Sequence, residues 1–236
     1  MQRTKIEWVV DPDGKPGWTW NPITGCKTGC EYCYARRIAQ RFGGPDGFEP
    51  QIHPMRLAEL RQAKAPRTIF VGSMTDLFGH WVDKDTMLNN FRADVFYEMQ
   101  LQRRHTYLML TKWPEYTARA AEGVALRNWW IGTSVDRNAH RGWLLALQLH
   151  APRCNWFVSF EPLLENIRVR EHELLGLNWV IIGAQTGPGA VKPERAWVQE
   201  IVDVAQAVHV PVFVKDNLVK LYPEFAGLRA IPYQQG

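Results

Sequence analysis

Three of the four cysteines in this chain of 236 residues fall within eight positions, in the run Cys26-Lys-Thr-Gly-Cys30-Glu-Tyr-Cys33. A disulfide framework spreads its half-cystines so that they close larger loops. Thiols clustered this tightly point instead to metal or cluster chemistry. A [4Fe–4S] cluster ordinarily takes four thiolates. Three from one loop can hold three irons at adjacent corners and leave the fourth iron open to an outside ligand. A structural zinc site wants four ligands, commonly two separated cysteine pairs or cysteine with histidine. No second C-x2-C exists here, so His53 or His80 would have to complete such a site from far along the chain. Three buried thiols without any metal are the third reading. Gly25 and Gly29 let the backbone turn closely around a bound group, and Pro22 and Thr24 keep the approach to Cys26 out of helix.

The elements that must position this loop are legible as apolar, β-rich runs. Candidate strands are Trp18–Asn21, Thr68–Gly72, Thr106–Leu110, Trp129–Thr133, Trp156–Phe160, Trp179–Gly183 and Val210–Val214. Most lack polar/apolar alternation, as suits strands of a parallel sheet covered on both faces. Between them the spacing predicts helices over Tyr32–Arg41, Asp85–Arg103, Pro114–Glu122, Gly142–His150 and Glu194–Val208. Strands alternating with helices imply βα units, and right-handed crossovers curl such units into a barrel. The expected fold is therefore α/β: a single-domain partial (β/α) barrel over residues 1–236, with about six or seven mostly parallel strands. Residues 1–17 are expected as an N-terminal extension, and 42–66 as an insertion or barrel-edge segment. In such barrels the chemistry sits on the loops after the strands. Here those loops begin GSMTDLF, TKWPE, SVDRN, EPLLE, AQTGPGA and KDNL, all crowded with polar side chains.

Composition narrows the classes. Hydrophobic residues make up 46% of the chain and charged residues 22%, which excludes a disordered tail. No apolar run approaches the roughly 20 residues that span a bilayer. The start MQRTKIEWVVDPDG lacks the apolar core of a secretory signal, so a cytoplasmic protein is expected. A net charge of +4 and a pI near 8.9 permit an anionic partner without requiring one.

The motif C-x3-C-x-aromatic-C after a first strand resembles the signature of the radical S-adenosylmethionine superfamily. Over nearly the whole chain, WNPITGCKTGCEYCYA, FVGSMTDLF, LTKWPE, GTSVD, SFEPLL and IIGAQTGPGA are similar to a phage-associated branch of that superfamily, distantly similar to the spore photoproduct lyases. The resemblance implies a radical enzyme with two cofactors, a [4Fe–4S] cluster on Cys26, Cys30 and Cys33 and S-adenosylmethionine on the open iron. It also implies a flavodoxin or ferredoxin as electron donor, and a nucleobase, nucleotide or nucleic acid as substrate. Tyr32 would lie beside adenine. Ser73, Thr75 and Asp76 would receive the methionyl amino group, although Thr75 and Asp76 also suit a helix N-cap. Ser134 would bond the carboxylate and Asp136 the ribose. Gln185 stands where Gly-Glu-Ser-Gly is usual in such proteins, in place of a carboxylate. Glu161 would point into the barrel mouth; an isolated buried carboxylate is costly, so it needs a partner such as Lys112, Arg137 or Lys215. Lys112 and Glu161 are the candidate catalytic side chains beside the cysteines. The alternative is a catalytically silent iron–sulfur or zinc module that retains the fold for interaction.

Cys154 precedes the strand whose far end carries Glu161. Seven residues at about 3.3 Å each put it roughly 20 Å away, at the opposite end of the barrel. It is expected to pack as a small hydrophobe. Of the eleven tryptophans, Trp129, Trp156 and Trp179 begin strands and are expected between barrel and helices. Trp8, Trp18, Trp20, Trp81 and Trp113 are expected nearer the mouth or in the N-terminal segment. There, aromatics among Arg36, Arg37, Arg41 and Lys112 can stack on and neutralise a nucleic acid.

Overall fold

The computed structural model describes residues 1–43, 47–117, 127–150 and 154–234. In chain order the strands are β1 (Gln2–Arg3), β2 (Trp18–Trp20), β3 (Ile23–Thr24), β4 (Gln51–Ile52), β5 (Thr68–Val71), β6 (Thr106–Thr111), β7 (Trp129–Ser134), β8 (Asn155–Phe160), β9 (Trp179–Ile182) and β10 (Val212–Val214). Eight of them form one sheet in the order β1-β2-β5-β6-β7-β8-β9-β10. Every pairing is parallel except that of β1 with β2. The sheet stays open between β1 and β10, so the barrel is incomplete, as expected. The seven parallel strands are the seven apolar runs; β1 is the added one. Two polar residues carry no strand signal of their own, and they pair because Gln2 and Arg3 lie opposite Thr19 and Trp18.

The strands are buried on both faces, and their two-residue period sorts side chains into two cores. Phe70, Leu108, Trp130, Phe157, Ile181 and Phe213 point into the barrel. Ile69, Met109, Ile131, Val158, Val180 and Val214 point out, against the helices. In chain order the helices are α1 (Tyr34–Gly43), α2 (Leu57–Gln62), α3 (His80–Asp83), α4 (Thr86–Leu101), α5 (Gly142–His150), α6 (Glu171–Leu174) and α7 (Arg195–Ala207), of which α4 and α7 are the main outer partners. Asp85 caps α4 by accepting from the amides of Met87 at 3.0 Å and Leu88 at 3.1 Å. Of the helix expected over Pro114–Glu122, a 3-10 turn forms at Pro114–Tyr116, and 118–122 lies outside the described residues. No described helix is long and apolar enough to cross a membrane.

Trp129 and Trp156 lie in the outer core, as expected, but Trp179 does not. It faces into the barrel, because the period that turns Val180 and Ile182 outward turns Trp179 and Ile181 inward. It meets Trp8, which enters from the N-terminal segment and packs edge-on against Phe70, Phe157 and Trp179 at 5.2–5.9 Å. Within the N-terminal extension, residues 1–17, Trp8 and Val9 fill the barrel interior. The chain's other end holds them there. The Tyr233 hydroxyl donates to the Trp8 carbonyl at 2.6 Å and accepts from the Val10 amide at 3.0 Å. Residues 228–230 run beside β10, with Val214 N to Leu228 O at 2.8 Å and Ala230 N to Val212 O at 3.1 Å. The stretch 42–66 is likewise integrated: β4 pairs antiparallel with β3, and α2 packs against α4, while 44–46 lies outside the described residues.

His105 links sequence to pH at the far end of the barrel. It is fully buried before β6, accepts from the Arg67 amide at 3.1 Å, and is pushed down to about 4 by burial and by Arg104. The unfolded chain therefore binds a proton that the folded chain refuses between about pH 6.5 and 4. His105 should lower stability progressively as pH falls through that window. Urea midpoints of the parent and of His105→Gln should converge from pH 7 to pH 4.5; parallel pH profiles would refute this.

Candidate functional site

The cysteine loop follows β2 and β3 and is pinned on two sides. Gly25 donates to Met74 O at 2.9 Å, Thr75 Oγ1 donates back to Gly25 O at 2.6 Å, and the Cys26 amide donates to Phe48 O at 3.1 Å. Gly25 has φ +84°, and a Cβ there would sit 2.2 Å from Glu49 O, so no other residue fits the turn. Cys26, Cys30 and Cys33 all line one cavity of about 200 Å³, walled by Phe48 and by Gly72–Asp76 from the loop after β5. Backbone amides face the sulfurs: Thr28 N lies 3.5 Å from Cys26 Sγ, and Arg36 N 3.3 Å from Cys33 Sγ. Burial pushes the Cys26 thiol up to about 11, and burial also raises Cys30 against the opposing charge of Lys112. Among the described residues, no three His, Cys, Asp or Glu side chains gather as ligands of a single metal ion. The two histidines weighed for zinc do not gather with the cysteines as ligands. His53 Nε2 is 2.8 Å from Thr24 Oγ1, and His80 packs on Trp113 with ring centroids 4.3 Å apart.

The residues after β5 serve the architecture of this cavity. Ser73 Oγ accepts from Asn21 Nδ2 at 3.0 Å, and the Ser73 carbonyl accepts from the Tyr34 hydroxyl at 2.8 Å. Asp76 is buried, and burial raises its pKa. It accepts from the Phe78 amide at 3.1 Å, from Thr111 Oγ1 at 2.8 Å and from the Lys112 amide at 2.9 Å, tying the ends of β5 and β6 together.

A second cluster lies across β6 and β7. Asp136 accepts from the Tyr32 hydroxyl, from His140 Nδ1 and from Lys112 Nζ at 3.3 Å, with Arg137 Nε at 3.8 Å. Burial alone would raise its pKa, but Lys112, Tyr32 and His140 outweigh burial and hold the carboxyl below the usual range. Lys112 Nζ also stands 5.2 Å from the Tyr32 ring centre and 5.6 Å from that of Trp143, on which His140 stacks at 4.0 Å. These groups line a cavity of about 280 Å³ beside Cys30.

Glu161, at the end of β8, pairs with Lys215, the N-cap of α8 (Asp216–Val219), rather than with Lys112 or Arg137, which serve Asp136. Gly183 makes room for the pair, since a Cβ there would lie 2.8 Å from the Glu161 carboxyl carbon and 2.9 Å from Lys215 Cδ. The pair edges a third cavity, of about 320 Å³, which runs from Arg37, Ser134 and Gln185 at the rim down to Trp8 and Phe70 at the floor. Gln185 Oε1 accepts from the Val191 amide at 2.9 Å and so shapes its own loop. Cys154 precedes β8, at the end opposite Glu161, and burial pushes its thiol up to about 12.

The structure thus gathers the cysteines, Tyr32, Lys112, Ser134, Asp136, Glu161 and Gln185 at one end of the barrel. It also brings in His140, Trp143 and Thr28, which the sequence reading passed over. The one available signal for His140 was its spacing four residues beyond Asp136. Thr28 lies inside the cysteine loop itself, whereas Trp143 had no signal, because only the fold turns it to this face.

Residues 3–218 match the family model described as "Protein of unknown function (DUF5131)". The chain belongs to the DUF5131 family. No curated protein matches it. Among solved structures, this DUF5131 chain is similar to a doubly substituted spore photoproduct lyase with bound AdoMet and dinucleoside spore photoproduct. The TM-score there is 0.52 at 9% identity, over 80% of this chain and 60% of that one. A singly substituted variant of the same lyase matches with TM-score 0.51 at 9% identity, over 81% of this chain and 74% of that one. The likeness carries the fold: an open α/β barrel of the spore photoproduct lyase type.

Proposed function

We propose that this protein is a radical S-adenosylmethionine enzyme acting on a nucleobase, free or within a nucleotide or nucleic acid. The observation that carries the reading is the cavity of about 200 Å³ at the strand ends that all three thiols of the C-x3-C-x2-C loop line together. A four-iron cluster places its thiolates on separate iron corners, so its ligands ring a space rather than converge on one point. The donor set fits: Cys26, Cys30 and Cys33 would hold three irons, amides already face two of the sulfurs, and Gly25 keeps the loop's backbone close. When bound, the cluster and S-adenosylmethionine together supply one-electron cleavage of the sulfonium and a 5′-deoxyadenosyl radical that abstracts hydrogen.

The chain's own residues bind and orient. Ser73, Thr75 and Asp76 would border the methionyl side, Ser134 the carboxylate and Tyr32 the adenine. Asp136 would meet the ribose while shared with Tyr32, His140 and Lys112, which keep it ionised. Lys112 sets a positive charge beside Cys30. Gln185 edges the rim, and the Glu161–Lys215 pair faces the substrate side of the mouth. A flavodoxin or ferredoxin would supply the electron.

The test is anaerobic reconstitution with iron and sulfide, then dithionite reduction with S-adenosylmethionine. The expected result is cluster absorption and 5′-deoxyadenosine. A loaded cluster that never cleaves the cofactor, with or without nucleic acids, would leave the silent module standing; no cluster at all would overturn the assignment.

A further inference from the structure

The first helix after the cysteine loop presents an unusual outer face. Tyr34, Ile38 and Phe42 are 50%, 48% and 85% exposed, at spacings of four residues, so they stand in one row along α1. Arg37 and Arg41, both exposed, form a second row beside them. The helix contains three arginines and no acidic residue. Flat apolar groups alternating with guanidinium groups suit a ligand that is itself a polyanion with flat apolar faces. Both requirements are met by single-stranded nucleic acid, whose unpaired bases stack while its phosphates are neutralised.

The row leads somewhere. Tyr34 and Arg37 belong at once to this face and to the rim of the cavity of about 320 Å³ in the barrel mouth. Across that rim, Gly187 (φ +105°) leaves the Arg37 guanidinium its place, since a Cβ would lie 3.3 Å from one terminal nitrogen. The cavity is near the lower end of the range for ligand pockets, about 300–1,000 Å³, which suits one nucleoside-sized group. Its floor includes Trp8, 2% exposed, whose indole N–H has no hydrogen-bond partner in the structure.

Resting on the reading of the mouth as the active site, we propose that α1 is a docking platform for single-stranded nucleic acid, delivering one unpaired base past Arg37 into the barrel cavity. An anionic membrane or an acidic protein would also meet two arginines and a phenylalanine. Neither would use a nucleoside-sized cavity that begins at the same arginine.

The experiment is fluorescence anisotropy of the full-length protein with a labelled single-stranded 12-mer, its hairpin duplex counterpart, and vesicles with and without phosphatidylserine. The single strand should bind more tightly than the duplex. Arg37→Gln/Arg41→Gln should reduce the slope of log K against log salt by about 1.4, from about 0.7 per lost phosphate contact. Phe42→Ala should weaken binding by about fivefold or more with an unchanged slope, as loss of a stacking surface requires. Equal affinity for strand and duplex, variants that bind like the parent, or binding to anionic vesicles alone would each overturn the platform. Binding is read without turnover. Strand binding without cofactor cleavage would therefore count against the proposed chemistry and not the platform, whereas cleavage without strand binding would do the reverse.

Discussion

Cys30→Ala should assemble no four-iron cluster and release 5′-deoxyadenosine only at background, whereas Cys154→Ala should match the parent in both. The contrast follows from placement. Cys30 lines the cavity shared with Cys26 and Cys33, and the charge of Lys112 opposes the burial that raises its pKa. Removing it leaves two thiolates for a cluster that needs at least three from this loop. Cys154 lies before β8, beyond the length of a six-residue strand from Glu161, with its thiol held protonated by burial. The readouts are iron content, visible absorption and chromatography of the nucleoside product. Cluster retention in Cys30→Ala, or cluster loss in Cys154→Ala, would sink the assignment of the loop as the cluster site.

The second large effect concerns the barrel floor. Trp8→Ala should cost about 3–5 kcal/mol, the range for truncating a buried aromatic, and Trp8→Phe much less. Trp8 is almost wholly buried and touches rings from β5, β8 and β9, so its loss opens a void that three strands would have to collapse to fill. A collapse of that kind is resisted because the strands are fixed by their ladders and by the outer core. Phenylalanine keeps most of the contact area and removes an N–H that has no partner. At roughly 2–4 °C per kcal/mol for a chain of this size, the alanine variant should melt about 6–20 °C lower. A shift under 2 °C would mean that Trp8 does not fill the barrel floor.

The burial of Trp8 and Val9 was not legible in the sequence, for a physical reason. Trp8 and Val9 sit in a stretch with no helical or strand period, and burial there depends on contacts with Tyr233, 225 residues away from Trp8 in the chain. Trp179 was misread for a related reason: an apolar run such as WVII shows that both faces are covered without showing which face is the inside. The strands themselves were legible because a continuous run of β-branched and aromatic residues needs no partner to be recognised. The short β1 carried no such run.

In the candidate site, the division is the same. The sequence by itself determined the cysteine loop, since three thiols within eight positions stay close in almost any fold, and it determined that polar residues follow the strands. Only the tertiary structure decided which charges meet. Asp136 takes Lys112, 24 positions away, together with Tyr32 and His140, while Glu161 takes Lys215, 54 positions away. Parallel β-strands bring their ends together across crossovers of any length, so local spacing holds no record of which neighbours result. The order of β6, β7, β8, β9 and β10 around the barrel is what places Lys112 beside Asp136 and Lys215 within reach of Glu161.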